Sequence, residues 1–149
     1  MAPVGFTKDA RTFVLTQARK EALGRGEDVI EAEHLLLAVA DHPDLRDFGL
    51  DRGRLIAALA EEELHSLAAV GVSAGEFDLS CSARRPRKAK LATSSKLALH
   101  RAVKMAVGRG ERRVGAHHVL WGLLAADHGR VPRAMRLAGV DIAALRSRL

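Results

Sequence analysis

The chain has 149 residues, 48% of them apolar, with 24 basic and 18 acidic side chains and a formal charge of +6. That length fits one domain or two small halves sharing an interface. No apolar run approaches the roughly 18–20 residues of a membrane-spanning helix, and a single cysteine, Cys81, excludes an internal disulfide.

Ala and Leu dominate while aromatic and β-branched residues are few, which favours packed helices over sheet. The first residues, Met1 to Phe6, lack the basic and apolar regions of a signal peptide. A reducing cytoplasm is therefore the expected location.

Thr7 can cap a first helix, with Asp9 in its opening turn. Ala10, Phe13, Val14, Ala18 and Ala22 recur at helical steps and predict one buried stripe. Gly24 and Gly26 stop that helix, and residues 27–30 connect to a second one over about 32–40. Glu31 and Glu33 stand at its positive end, where a carboxylate is stabilised by roughly 0.3–1 kcal/mol. Leu35, Leu36, Leu37 and Val39 are too continuous for a half-exposed helix, so this one is central. A short helix over 44–48 follows, and Asp51 caps a fourth carrying Leu55, Ile56, Leu59 and Leu64, with Glu61, Glu62 and Glu63 as its solvated face.

Periodicity vanishes between residues 71 and 92, where Gly, Ser and Pro mark a linker that ends in a basic run over 84–90. Pro86 inside that run argues against a helix that reads DNA.

After the linker the plan returns. Thr93, Ser94 or Ser95 caps a helix through Leu97, Ala102, Met105 and Ala106. A central helix over 116–126 holds Trp121 as core, Pro132 suits the first turn of the next through Met135 and Leu137, and Asp141 caps the last. Ala22, Gly24, Arg25, Gly26, Glu27, Ala32, His34 and Leu36 recur 84 positions later as Ala106, Gly108, Arg109, Gly110, Glu111, Ala116, His118 and Leu120. Such a fixed-offset recurrence marks a duplicated unit. The expected fold is all-α: two tandem four-helix repeats, residues 1–70 and 93–149, joined by the basic linker 71–92 and related by a pseudo-twofold axis.

This ordered pair of repeats resembles the N-terminal domain of the Clp family of AAA+ unfoldases, especially the ClpC and ClpA branch. The resemblance spans nearly the whole chain. It is carried by Phe6-Thr7, Glu33-His34-Leu35-Leu36, the stretch from Gly115 to Leu124 and the stretch from Leu137 to Asp141. It implies a module that binds adaptors and substrates, in ClpC-type members including proteins with phosphorylated arginine. No Gly-x-x-x-x-Gly-Lys-Ser/Thr phosphate loop is present, so the expectation is the recognition domain without the motor, a stand-alone protein with no enzymatic activity and no cofactor.

The resemblance also implies where ligands bind. A glutamate before the central helix's histidine holds the guanidinium, and a threonine at the start of each repeat's first helix takes the phosphate with backbone N–H groups. Glu33 and Thr7 fall on these positions in the first repeat, although the spacing from Thr7 to Ala18 is one residue longer than the family pattern. In the second repeat Ala92 takes the threonine position, with Thr93 one step away, and His117 stands where the glutamate belongs. An imidazole cannot replace an anionic fork, so that site is expected to be degenerate.

His34 and His118 are read as buried structural histidines. His117 and His118 are adjacent on a helix, about 100° apart, and no Cys/His cluster joins them, so no metal is expected. Cys81 lies beside no obvious base. Leu91 and Val4 stand near the entrances of the two first helices, where a groove could take a partner's apolar side chains.

The expected partners are Clp ATPase or protease components, adaptors or substrate proteins. An alternative is a decoy that sequesters Clp-targeting cyclic-peptide antibiotics. A reading from another class is nucleic-acid binding through residues 84–90 and the C-terminal Arg130, Arg133, Arg136, Arg146 and Arg148, with affinity falling steeply with salt. No membrane partner is expected.

Overall fold

Each half begins with a long helix ended by glycine: α1 (Lys8–Gly24) and α5 (Thr93–Gly108). The computed structural model describes residues 5–6, 8–72 and 89–149, with side chains from Phe13 onward. The two turns are built alike. Gly26 and Gly110 take left-handed φ values of 75° and 69°, which glycine adopts without a steric cost. The amides of Glu27 and Glu111 then reach back 2.9 Å to the carbonyls of Ala22 and Ala106, satisfying groups that the helix leaves open.

The first half continues through β2 (Val29–Ile30), α2 (Ala32–Ala38), α3 (Pro43–Asp47) and α4 (Arg52–Ala69). The second continues through β4 (Arg113–Val114), α6 (Ala116–Leu124), α7 (Arg130–Leu137) and α8 (Ile142–Arg148). Asp51 and Asp141 cap α4 and α8 as expected, accepting from the amides of Arg54 and Ala144 at 2.8 and 3.0 Å. The eight helices confirm the expected fold class.

The strands are a correction to the reading of residues 27–30 and 90–91 as plain connector. β1 (Gly5–Phe6) pairs in parallel with β4, and β2 pairs in parallel with β3 (Lys90–Leu91). The strand before the first helix of each half thus bonds to the strand before the second helix of the other. The backbone groups of these extended connectors need partners, and the opposite half supplies them. The helices follow the same exchange, with α4 against α7 and α3 against α8.

The core runs along α2 and α6, where Leu35, Leu36, Leu37, Leu120, Leu123 and Leu124 are buried. Small residues on the long helices, Ala18 and Ala22 on one and Ala98, Ala102 and Ala106 on the other, let these central helices come close. Several expected core residues face outward instead: Phe13, Ile56, Leu64, Leu97 and Leu137 are exposed. On α4 the buried stripe is Leu55, Ala58, Leu59 and Glu62. Trp121 is only partly buried and packs against the core, with the Arg146 guanidinium 6.0 Å from its ring.

The expected cap of α5 is also corrected. Ala92 is its N-cap and no side chain closes it. Ser94 and Ser95 turn to the first half: Ser94 accepts from the Ala32 amide at 3.0 Å and donates to Glu31, while Ser95 donates to the Ile30 carbonyl. One repeat caps the central helix of the other.

A Cβ at Gly122 on α6 would run into the Ala98 carbonyl and the Ala102 amide of α5. Gly122→Ala is therefore expected to destabilise the fold by roughly 1–3 kcal/mol, as overpacking does. Urea denaturation of the variant beside wild type measures this.

Candidate functional site

The second helix of each repeat opens on a histidine cap. Nδ1 of His34 accepts from the Glu31 amide and Nδ1 of His118 from the Gly115 amide, both at 2.9 Å. Histidine here does the work of the third residue in a capping box. An accepting Nδ1 places the neutral imidazole's proton on Nε2. That atom lies 3.3 Å from a Glu27 oxygen in the first repeat and 3.0 Å from a Glu111 oxygen in the second, near enough to attract but not aligned as a hydrogen bond. Both rings are fully buried, and burial holds both pKa values below the ordinary 6.5 against the pull of Glu27 and Glu111.

Contrary to the expectation of diverging side chains, the His117 and His118 rings lie 3.8 Å apart at 39°. Donor atoms of Glu111, His117 and His118 gather within 4.8 Å of one another, as do those of Glu27, Glu33 and His34. The cap works against a metal at either cluster. A protonated Nε2 offers no lone pair, and moving the proton to Nδ1 breaks the bond that closes the helix.

Glu33 lies in the first turn of α2 and is 4% exposed. Its carboxylate accepts from Nη1 of Arg130, the first residue of α7, at 2.6 Å. The same guanidinium directs Nη2 to Glu63 at 3.2 Å and to the Leu59 carbonyl at 3.3 Å. Its Nε stands 3.2 Å from Glu62, unaligned for a hydrogen bond. Burial raises the Glu33 pKa, with Arg130 opposing it.

The expectation that Glu61, Glu62 and Glu63 form one solvated face fails at the middle residue. Glu62 is 2% exposed and accepts from Ser66 at 2.6 Å and from Nε of Arg133 at 2.8 Å. Burial alone would raise its pKa, but these two bonds and the charges of Arg133 and Arg130 bring it below the usual value. Sequence reasoning missed Glu62, although its spacing from Leu55 and Leu59 on the α4 stripe was the available signal.

Thr7 lies outside the described residues. In the second repeat Ala92 offers no side-chain oxygen at the N-cap, Thr93 is exposed, and His117 stands 3.7 Å from Glu111. No carboxylate fork takes the place of Glu33 there.

Two grooves open on this frame, each of about 330 Å³. One runs past Glu33 and Arg130, walled by Leu97, Arg101, Leu123 and Val131. The other lies between α1 and α5, with Val14, Leu15, Leu91, Leu99 and Val103 beside Lys96 and His100. Leu91 thus stands where a groove was expected, while Val4, Cys81 and residues 84–88 lie outside the described residues. Most of the C-terminal arginines are paired, while exposed Arg136 donates, among the described residues, only to the Asp127 carbonyl. Arg130 and Arg133 pair with glutamates, Arg148 pairs with Asp47 at 2.6 Å, and Arg146 lies over Trp121.

Residues 90–149 match the Clp repeat (R) N-terminal domain family. That half is similar to a Clp N-terminal repeat. No curated protein matches the sequence significantly. The N-terminal domain of the caseinolytic protease associated chaperone ClpD from Arabidopsis thaliana superimposes with a TM-score of 0.68 at 18% identity, covering 99% of this chain and 93% of that one. The Hsp104 N-terminal domain from Candida albicans gives 0.64 at 14% identity, covering 97% and 89%. At these identities the likeness is one of fold, and it extends the Clp N-domain architecture to the first repeat. No described helix is long and apolar enough to cross a membrane.

Two predictions test this geometry. Glu62→Ala strips two guanidinium groups and Ser66 of their partner and is expected to cost about 1–3 kcal/mol, whereas Glu61→Ala stays within about 0.5 kcal/mol; paired urea titrations decide. His34 and His118 have depressed folded pKa values, so the unfolded chain takes up more protons below pH 6.5. Their stabilisation is present above that value and is lost as pH falls through it. The melting temperature should drop between about pH 7.5 and about pH 5.5, and less so in a His34→Gln/His118→Gln double variant, which keeps an acceptor for the cap. The raised Glu33 pKa acts with the opposite sign but is common to both proteins, so their difference isolates the histidines.

Proposed function

We propose that this chain is a non-enzymatic recognition module of the Clp N-domain type, binding substrate or adaptor proteins and reading arginine at the entrance of α2. The observation that carries the reading is Glu33, a nearly buried carboxylate that meets a guanidinium at 2.6 Å. Guanidinium and carboxylate match in plane and charge, and the Arg130 guanidinium opposes the burial of this glutamate more than any other charge. Arginine-phosphorylated proteins are the partner class that fits the position of Glu33, with Thr7 as the phosphate-side residue.

The second repeat is degenerate in this reading, since Ala92 and His117 supply neither group and exposed Thr93 does not replace them. The described serines with resolved bonds, Ser66, Ser94, Ser95 and Ser147, donate to carboxylates or carbonyls and none to a histidine. That pattern supports binding over catalysis. The groove of Leu15, Leu91 and Leu99, with exposed Phe13 at 60%, supports a second reading in which apolar partners, including cyclic-peptide antibiotics, dock between α1 and α5. The pairing of Arg130, Arg133 and Arg148 weighs against nucleic acid at the C-terminal half.

Isothermal titration with an arginine-phosphorylated peptide should show one site per chain, lost in Glu33→Ala. Two equivalent sites, or unchanged binding by the variant, would refute the assignment.

A further inference from the structure

We propose that Glu33, Glu62, Glu63 and the Leu59 carbonyl form a seat for an arginine side chain, filled from within by Arg130, and that a partner's arginine enters by exchanging with it. The inference rests on the reading of Glu33 as a guanidinium ligand and extends it to residues on a second helix.

The seat surrounds all three guanidinium nitrogens. Nη1 meets Glu33, Nη2 meets Glu63 and the Leu59 carbonyl, and Nε faces Glu62. An incoming arginine finds the same oxygens around its guanidinium. Lysine, a point charge, cannot engage them together.

Exchange, not emptying, follows from burial. The Glu33 and Glu62 side chains are 5% and 3% exposed, and an ionised carboxylate so placed needs a cation. Glu62 keeps Arg133 when Arg130 leaves. Glu33 pairs with Arg130 and feels Arg25 only as a weaker charge, so the state with Arg130 swung away is favoured when another guanidinium arrives.

The resident is also held loosely for such a position. Its Nε lacks an aligned acceptor, and its side chain remains 27% exposed. Arg130 opens α7 directly after Gly129, whose φ of 121° starts the helix. Its side chain can turn outward without unwinding a helical turn. It leaves into the groove that both it and Glu33 line, and a guest arrives by the same route.

The consequence is a lowered apparent affinity in the wild-type chain, because every guest must displace Arg130 from the seat. The test uses Arg130→Gln, with folding checked by circular dichroism, and two probes. Millimolar methylguanidinium should raise the melting temperature of Arg130→Gln saturably, leave wild type unmoved, and lose its effect in Glu33→Gln/Arg130→Gln; methylammonium should not substitute. An arginine-phosphorylated peptide should bind Arg130→Gln at least about ten-fold tighter than wild type.

Equal peptide affinity in the two proteins, with Glu33 still required, overturns the exchange and leaves the proposed function standing. A folded Arg130→Gln that takes neither probe overturns both. Should Arg130→Gln fail to fold, Arg130→Lys keeps the charge beside Glu33 while presenting a weaker competitor. Tighter peptide binding by Arg130→Lys than by wild type then supports the exchange, and equal binding overturns it.

Discussion

Two glutamates taken out of water at the junction of the repeats constrain everything near them. Glu33 comes from α2 and Glu62 from α4, both of the first repeat, while the cations that answer them, Arg130 and Arg133, come from α7 of the second. A buried charge without a partner is costly. The two halves are therefore joined by an electrostatic requirement as well as by the leucine core. In the proposed reading the carboxylate that needs a guanidinium for the fold is also the one that would recognise a partner's, so stability and recognition would share the same atoms.

The duplication is faithful where it shapes the backbone and loose where it meets solvent or a ligand. Glycine turns and histidine caps recur at one offset with the same bond lengths, and the glutamates behind them recur at the same offset. Glu33 and His117 occupy matching places yet have opposite chemistry. Ser94 and Ser95 serve the first repeat, though they sit at the start of a helix in the second. The duplicated plan thus carries two chemically unlike faces, with Glu33 on one and His117 on the other.

The sequence made the helices and their order legible because the signals are local. Glycine, an aspartate cap and a leucine run act within one or two turns. The two-residue strands were not legible, since so short a segment has no period to read. Phe13 and Leu97 were misassigned because apolar character says nothing about which of two adjacent helix faces is covered. Glu33 was found through resemblance, but its companion Glu62 was hidden in a run of three glutamates that looks solvated. Arg130 lies 97 positions from Glu33, and no window on the chain connects them; only the packing of α7 against α2 and α4 does.

The crossed pairing of β1 with β4 and β2 with β3 makes the two halves interlock, each completing the hydrogen bonds of the other's connectors. A protease that nicked the chain between α4 and β3 would leave a particle held together by those ladders, by the Ser94 bridge and by the buried ion network. The halves would travel together through a sizing column and part only on denaturation. Neither could drift in sequence without the other, because half of every connector's surroundings is written elsewhere in the chain.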